Sequence, residues 1–346
     1  MKKLLCAFLL CAASVSYAGV DDGLEAYKLG NYEAAFKEFK QAAQEGDALA
    51  QSNLGAMYAN GDGVPQDDAQ AVVWFKKAAE QGDADAQFIL GLMYANGKGV
   101  PQDDAQAVVW YKKAAEQGLA EAQSSLGLMY LEGQGVPQDD AQAAAWYKKA
   151  AEQGDADAQF VLGVMYRQGR GIPQDDAQAV VWYKKAAEQG LAEAQYKLGL
   201  MYLEGRGVPQ DYAQAVVWYK KSAEQGNADA QFQLGYMYSV GKGVPEDDAQ
   251  AVVWFKKAAE QGHASAQFGL GVMYAHGRGV PQNDKIAYIL FNIAASKGNS
   301  NAVKKRDIVL DKLTPAARVD AQRISTRLYN AKDFAAELRK VLNASN

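Results

Sequence analysis

Apolar residues along this chain recur in two alternating helical patterns. The stretch from Asp83 to Gly118 reads DADAQFILGLMYANGKGVPQDDAQAVVWYKKAAEQG. Ala86, Leu90, Met93 and Tyr94 stand at i, i+4, i+7 and i+8, which is one face of an α-helix. Asn96-Gly97 predicts the C-terminal turn of that helix. Lys98-Gly99-Val100-Pro101 predicts a crossover, because proline keeps the first helix from continuing. Asp103 predicts an N-cap, and Gln106, three residues later, can complete a capping box with it. Ala107, Trp110, Tyr111 and Ala114 form the inward stripe of a second helix. Lys112 and Lys113 fall near its C-terminus, where cations complement the helix dipole. Gly91 lies beside the first helix's apolar face at a cost in helix stability, which predicts a close approach to the neighbouring helix.

The whole pattern repeats. Tryptophan stands at 74, 110, 146, 182, 218 and 254, and proline at 65, 101, 137, 173, 209, 245 and 281, each 36 residues after the last. Seven units run from Asp47 to Gly298 without insertion or deletion. A period of this length with two helical patterns per unit predicts an all-α fold, an α-solenoid of helix pairs. Tryptophan and tyrosine on the second helix read as core knobs beside alanine and glycine holes. The flanks differ from the middle, as a solenoid requires, because each unit buries its face only against a neighbour. In residues 19–46 the segment Asp22 to Gly46 predicts a helix pair turning at Gly30-Asn31. In residues 299–346, Asn299 to Leu313 predicts another first-type helix. Thr314-Pro315 follows as an N-cap with proline at the first helical position, and Leu328 and Leu342 belong to closing helices.

The paired strings A-x-A-Q-x-x-L-G-x-M-Y-x-x-G-x-G-V-P and D-x-A-Q-A-V-x-W-Y-K-K-A-A-E-Q-G resemble the Sel-one-like repeat family, a branch of the tetratricopeptide superfamily. The resemblance covers all seven units. It implies antiparallel helix pairs stacked into a right-handed superhelix, with 19–46 as a tetratricopeptide-like pair. It also implies scaffolding of protein complexes, often in bacterial envelopes. Some cysteine-rich relatives carry a disulfide in each repeat; this chain departs from them.

Its cysteines, Cys6 and Cys11, both lie in the first 18 residues. There Lys2 and Lys3 precede an apolar run from Leu4 to Ala13, and Ser16-Tyr17-Ala18 forms a small-x-small cleavage site: the pattern of a signal peptide over residues 1–18. Leu10 precedes Cys11 where a lipoprotein signal would place a small residue. The expectation is a periplasmic protein, with a secreted or surface-associated one as the alternative. Its repeats then hold together without disulfides. The leader's apolar run is too short to span a bilayer, and no later segment is longer, so no transmembrane segment is expected.

The formal charge is −5, and loss of a leader with two lysines and no acid makes it more negative. That argues against nucleic acid as a partner. His263 and His276 are the two histidines, and no unique third ligand type accompanies them. The G-x-G of each unit precedes a proline crossover rather than opening a helix after a strand, so it is no phosphate loop. The paired acids (Asp67-Asp68, Asp103-Asp104 and their equivalents) recur at every second-helix start and read as caps. No catalytic residue, metal site or cofactor is expected, and the chain reads as non-enzymatic.

The repeats disagree with one another at a few columns. One holds Ser52, Phe88, Ser124, Phe160, Tyr196, Phe232 and Phe268. Four residues on come Ala56, Leu92, Leu128, Val164, Leu200, Tyr236 and Val272. At 100° per residue these fall opposite the constant face of the first helix. A third row, in the crossover loop, holds Asp62, Lys98, Gln134, Arg170, Arg206, Lys242 and Arg278. The functional reading is a concave groove that grips another protein or a peptide segment through Phe88, Leu92, Phe160, Val164, Tyr196, Leu200, Phe232, Tyr236 and Phe268. Lys98, Arg170, Arg206, Lys242 and Arg278 would then form a basic edge. The same features fit a binder of cell-wall or exopolysaccharide glycan. The competing structural reading packs the apolar columns between repeats and leaves the cations as solvated loop charges.

Overall fold

The computed structural model describes residues 18–343, so the body of the expected leader, residues 1–17, lies outside them. The chain divides into two compact units, Met1–Gln174 and Asp175–Asn346. Among the described residues every regular element is a helix.

The first unit holds α1 (Ala18–Lys28), α2 (Tyr32–Gln44), α3 (Ala48–Asn60), α4 (Asp68–Glu80), α5 (Ala84–Asn96), α6 (Asp104–Glu116), α7 (Ala120–Glu132), α8 (Asp140–Glu152) and α9 (Ala156–Gln168). The second holds α10 (Asp176–Glu188), α11 (Ala192–Glu204), α12 (Tyr212–Glu224), α13 (Ala228–Val240), α14 (Asp248–Glu260), α15 (Ala264–His276), α16 (Asp284–Ser296), α17 (Ser300–Leu310), α18 (Pro315–Tyr329) and α19 (Phe334–Asn343). Helix α1 begins at Ala18, ahead of the expected Asp22.

Local chemistry sets the ends of each hairpin. Gly97 closes α5 at φ 64°, and its neighbour Lys98 donates its backbone N–H to Met93 O at 2.9 Å, so the left-handed glycine turns the chain out of the helix. Asp103 caps α6, accepting from Gln106 N at 3.0 Å. The reciprocal arm of the expected box is not used. The Asp103 N–H instead donates to Tyr94 O at 3.0 Å and ties the second helix back to the first. Thr314 caps α18, with Pro315 opening it.

Packing within a hairpin follows from the glycine column. A Cβ on Gly91 would lie 2.6 Å from the Tyr111 ring of α6, which is 3% exposed. The close approach is therefore made to an aromatic ring. Between hairpins the tryptophans bridge. Trp110 of α6 is buried among Ala71 and Phe75 of α4 and Leu90 of α5, and Trp254 of α14 among Val216 and Tyr219 of α12 and Leu234 of α13. Each lysine three residues after a tryptophan lies over its ring, as Lys113 does over Trp110 at 4.0 Å.

A ladder of buried glutamines joins successive hairpins. Gln87 donates to Ala79 O of the preceding second helix at 2.9 Å and accepts from Gln117 of its own hairpin at 2.8 Å. Gln51, Gln123, Gln195 and Gln231 make the same pair of contacts. At the C-terminal end α16 replaces the tryptophan pattern with a continuous apolar face, Ile286 to Ile293, and α17, α18 and α19 pack into one core with it.

Candidate functional site

The variable columns divide in space. Phe88 is 5% exposed and packs on Tyr111 of its own hairpin, ring centroids 5.7 Å apart. Burial removes Phe88 from any open groove and corrects its expected place there. Tyr196, Phe232 and Phe268 lean on Tyr219, Phe255 and Phe291 in the same way, at 5.8, 5.9 and 5.6 Å. They are half-buried, as is Phe160. Phe88, Tyr196, Phe232 and Phe268 thus fasten the two helices of their hairpins together.

The next column faces outward. Leu128 of α7 and Tyr236 of α13 are 42% and 46% exposed, and Leu92, Val164, Leu200 and Val272 are half-buried. Within each unit, successive first helices therefore carry a row of accessible apolar side chains: Leu92, Leu128 and Val164 in the first, Leu200, Tyr236 and Val272 in the second.

Of the loop cations expected to form a basic edge, the three arginines are paired within the chain. Arg170 Nε donates to Asp140 Oδ2 at 2.8 Å and Arg206 Nε to Asp176 Oδ2 at 3.1 Å. Arg278 donates to both oxygens of Asp248 at 3.0 and 2.6 Å, to Ser239 O at 2.7 Å and to Glu246 at 3.0 Å. The hydrogen bond from Arg170 holds the Asp140 carboxyl below the usual carboxylate range. Where Tyr212 replaces the aspartate, Lys242 lies over its ring at 4.5 Å. Lys98 is exposed. So where the next loop carries an arginine, the two acids at a second-helix start do different work: the first caps its helix, and the second receives the guanidinium. Spacing along one helix could not reveal that partner, thirty residues away.

His263 is also structural. Its Nδ1 accepts from Ala266 N at 3.1 Å as the N-cap of α15, its Nε2 contacts Asp229 at 3.1 Å, and its ring stacks on Phe232. An accepting Nδ1 requires the proton on Nε2. Among the described residues no cluster of metal-ligating side chains forms, and no helix is long and apolar enough to cross a membrane.

Two features escaped the sequence reading. One is an outward valine on five of the second helices, Val73 and Val109 in the first unit and Val181, Val217 and Val253 in the second, 44–46% exposed. Its signal was the adjacent Val-Val, which a helix cannot bury on both sides. The other is a group of hollows on the first-helix side. A small one by Ser52 includes Asp83 and Asp85; burial, then the charges of Asp83 and Glu121, push Asp85 up to about 6. A larger one, about 320 Å³, lies between α5 and α7 and includes Leu92, Asp104, Tyr111, Leu128 and Gln134. Burial and then the Asp104 charge raise the Tyr111 hydroxyl to about 12.

The Sel1 repeat model matches seven consecutive segments, 48–83, 84–119, 120–155, 156–191, 192–227, 228–263 and 264–299. Among solved structures, a Sel1 repeat protein from Oxalobacter formigenes is 39% identical, with 82% of this chain and 86% of that chain covered and a TM-score of 0.64. A protective antigen present in uropathogenic Escherichia coli strains, displaying an SLR fold, is 34% identical over 94% of this chain and 86% of that one, with a TM-score of 0.49. The cysteine rich protein B of Helicobacter pylori is 27% identical over 37% of this chain and 96% of its own, TM-score 0.31. No curated protein matches the chain.

Proposed function

This chain belongs to the Sel1 repeat family, and from that premise we propose that it is a non-catalytic scaffold of the bacterial cell envelope that grips a segment of another protein along its first-helix face. A repeat scaffold of this family binds other molecules, and the question is with which surface. The observation that carries the reading is the exposure of Leu128 and Tyr236. They stand in a column that varies from repeat to repeat while the hairpin faces hardly change. Accessible apolar side chains in a row mark a contact surface, and tyrosine is enriched among residues that dominate binding energy. The glycan alternative loses support, since Arg170, Arg206 and Arg278 are spent on internal carboxylates. The envelope assignment rests on the leader pattern of residues 1–18.

A photo-cross-linking side chain at position 128 or 236, in the full chain expressed with its leader, tests the surface. The expected result is a defined protein adduct from these positions and none from Gln142, which is exposed on a second helix. Equal labelling from all three positions refutes the reading. Co-sedimentation with purified wall material, abolished by high salt, would favour the glycan binder. Intact mass of the exported chain checks the leader: retention of residues 1–18 in a cytosolic fraction refutes the envelope assignment.

A further inference from the structure

In the hollow between α5 and α7, we propose a recognition site for an arginine side chain of the partner, centred on Asp104. The proposal rests on the partner-binding reading above and names one chemical element of that partner. Its basis is a comparison of the repeats with one another. In the last repeat the guanidinium of Arg278 is held by three groups: the Asp248 carboxylate, the Ser239 carbonyl and the Glu246 carboxylate. Arg170 uses two of the same columns, Asp140 and the Leu131 carbonyl at 3.2 Å, and Arg206 uses Asp176. One repeat earlier than Arg170, the equivalent positions are Asp104, Ala95 and Gln102. All three line the hollow of about 320 Å³.

What is missing there is the arginine. Gln134 occupies its column, and its side chain is shorter and carries no charge. Among the described residues no cation pairs with Asp104, and the contact it makes is a long one, from Gln102 Nε2 at 3.4 Å. Three repeats of this chain thus display a bound guanidinium, and a fourth keeps the aspartate and the backbone carbonyl column, with Gln102 in place of Glu246, beside an empty volume. The walls suit the rest of an arginine. Leu92 and Leu128 offer apolar surface to the methylene stem, and Tyr111 is part of the same lining. Leu128 is also the most exposed residue of the first unit's apolar row, so a segment lying on that row can reach the hollow. A planar fork of donors matches a carboxylate with a nearby carbonyl better than an ammonium does, so the site should prefer arginine to lysine.

Titration of the full chain with N-acetyl-arginine amide, followed by NMR of side-chain amide signals, tests this without knowledge of the partner. The expected result is saturable binding with shifts at Gln102 and Gln134, and at least about tenfold weaker binding of the lysine and citrulline amides. Asp104→Asn should abolish binding while leaving the helix content unchanged. Gln134→Arg should also abolish it, by placing the chain's own guanidinium on Asp104, and should not lower Tm. The folded Gln134→Arg variant keeps the test decisive if Asp104→Asn fails to fold. Absence of saturable binding, equal binding of lysine amide, or undiminished binding to Gln134→Arg overturns the proposal. If arginine amide binds but position 128 yields no protein adduct, the site stands and the partner reading falls. An adduct at 128 that is unaffected by Gln134→Arg, with no arginine amide binding, has the opposite meaning.

Discussion

Replacing Gln123 with methionine isolates the contribution of the glutamine ladder. The two side chains are close in length and helix propensity, so packing in α7 is largely kept. Two hydrogen bonds are lost: Gln123 Nε2 to Ala115 O at 3.1 Å, and Gln153 Nε2 to Gln123 Oε1 at 2.8 Å. The first is buried and contributes about 1 kcal/mol net. Ala115 O keeps the Gly118 N–H at 3.1 Å, so no carbonyl is orphaned and the cost does not rise further. The second contributes about 0.5 kcal/mol, because Gln153 is exposed, retains Gly118 O at 2.8 Å and can rehydrate. The expected loss is about 1.5 kcal/mol, or a fall in Tm of about 3–6 °C for a unit of this size. Urea unfolding followed by far-ultraviolet circular dichroism measures it. Gln106→Met, on the exposed side of α6, is the control and should stay within about 0.5 kcal/mol of the parent. If Gln123→Met matches that control, the ladder adds nothing to stability and the argument for it fails.

Gly91→Val should destabilise by about 3 kcal/mol, because its Cβ would lie 2.6 Å from the buried Tyr111 ring; a parental Tm contradicts this packing. Asp85→Asn should flatten the dependence of stability on pH. Asp85 titrates near 6 in the fold against an ordinary value of 3.8, so the native state holds the extra proton between those values. Stability therefore falls as pH rises from about 4 to about 6. Partial exposure and solvent screening limit the effect to about 1 kcal/mol. Melting curves of parent and variant across that range should converge at low pH and separate above it, the variant being the more stable; parallel curves would contradict the assignment. His263→Ala should cost about 1 kcal/mol through loss of the α15 cap, and His263→Asn should restore most of it. Equal melting temperatures for the alanine variant and the parent would show the cap to be idle.

The helices themselves were legible in the sequence because what makes them is local. The spacing of Ala86, Leu90, Met93 and Tyr94, the left-handed Gly97 and the Asp103 cap all act within a turn or two. The 36-residue period then carries one hairpin's geometry to the others. Even the tryptophans could be placed in the core, since a bulky residue amid alanines has few other uses.

Partners about thirty residues apart were a different matter. Whether Phe88 meets solvent or Tyr111, and whether Arg170 meets a partner or Asp140, depends on how one helix lies against the next, and no single-helix periodicity encodes that distance. The glutamines at 87 and 117 stood in nearly every repeat as A-x-A-Q and E-Q-G. Their constancy, with Gln87 on a buried face, was the available signal, but only the packing of the hairpin brings the two amides within 2.8 Å. The apolar row and the Asp104 hollow likewise arise where neighbouring hairpins differ by one side chain. Local periodicity decides what each segment becomes, and tertiary contact decides which of its side chains are left over for anything else.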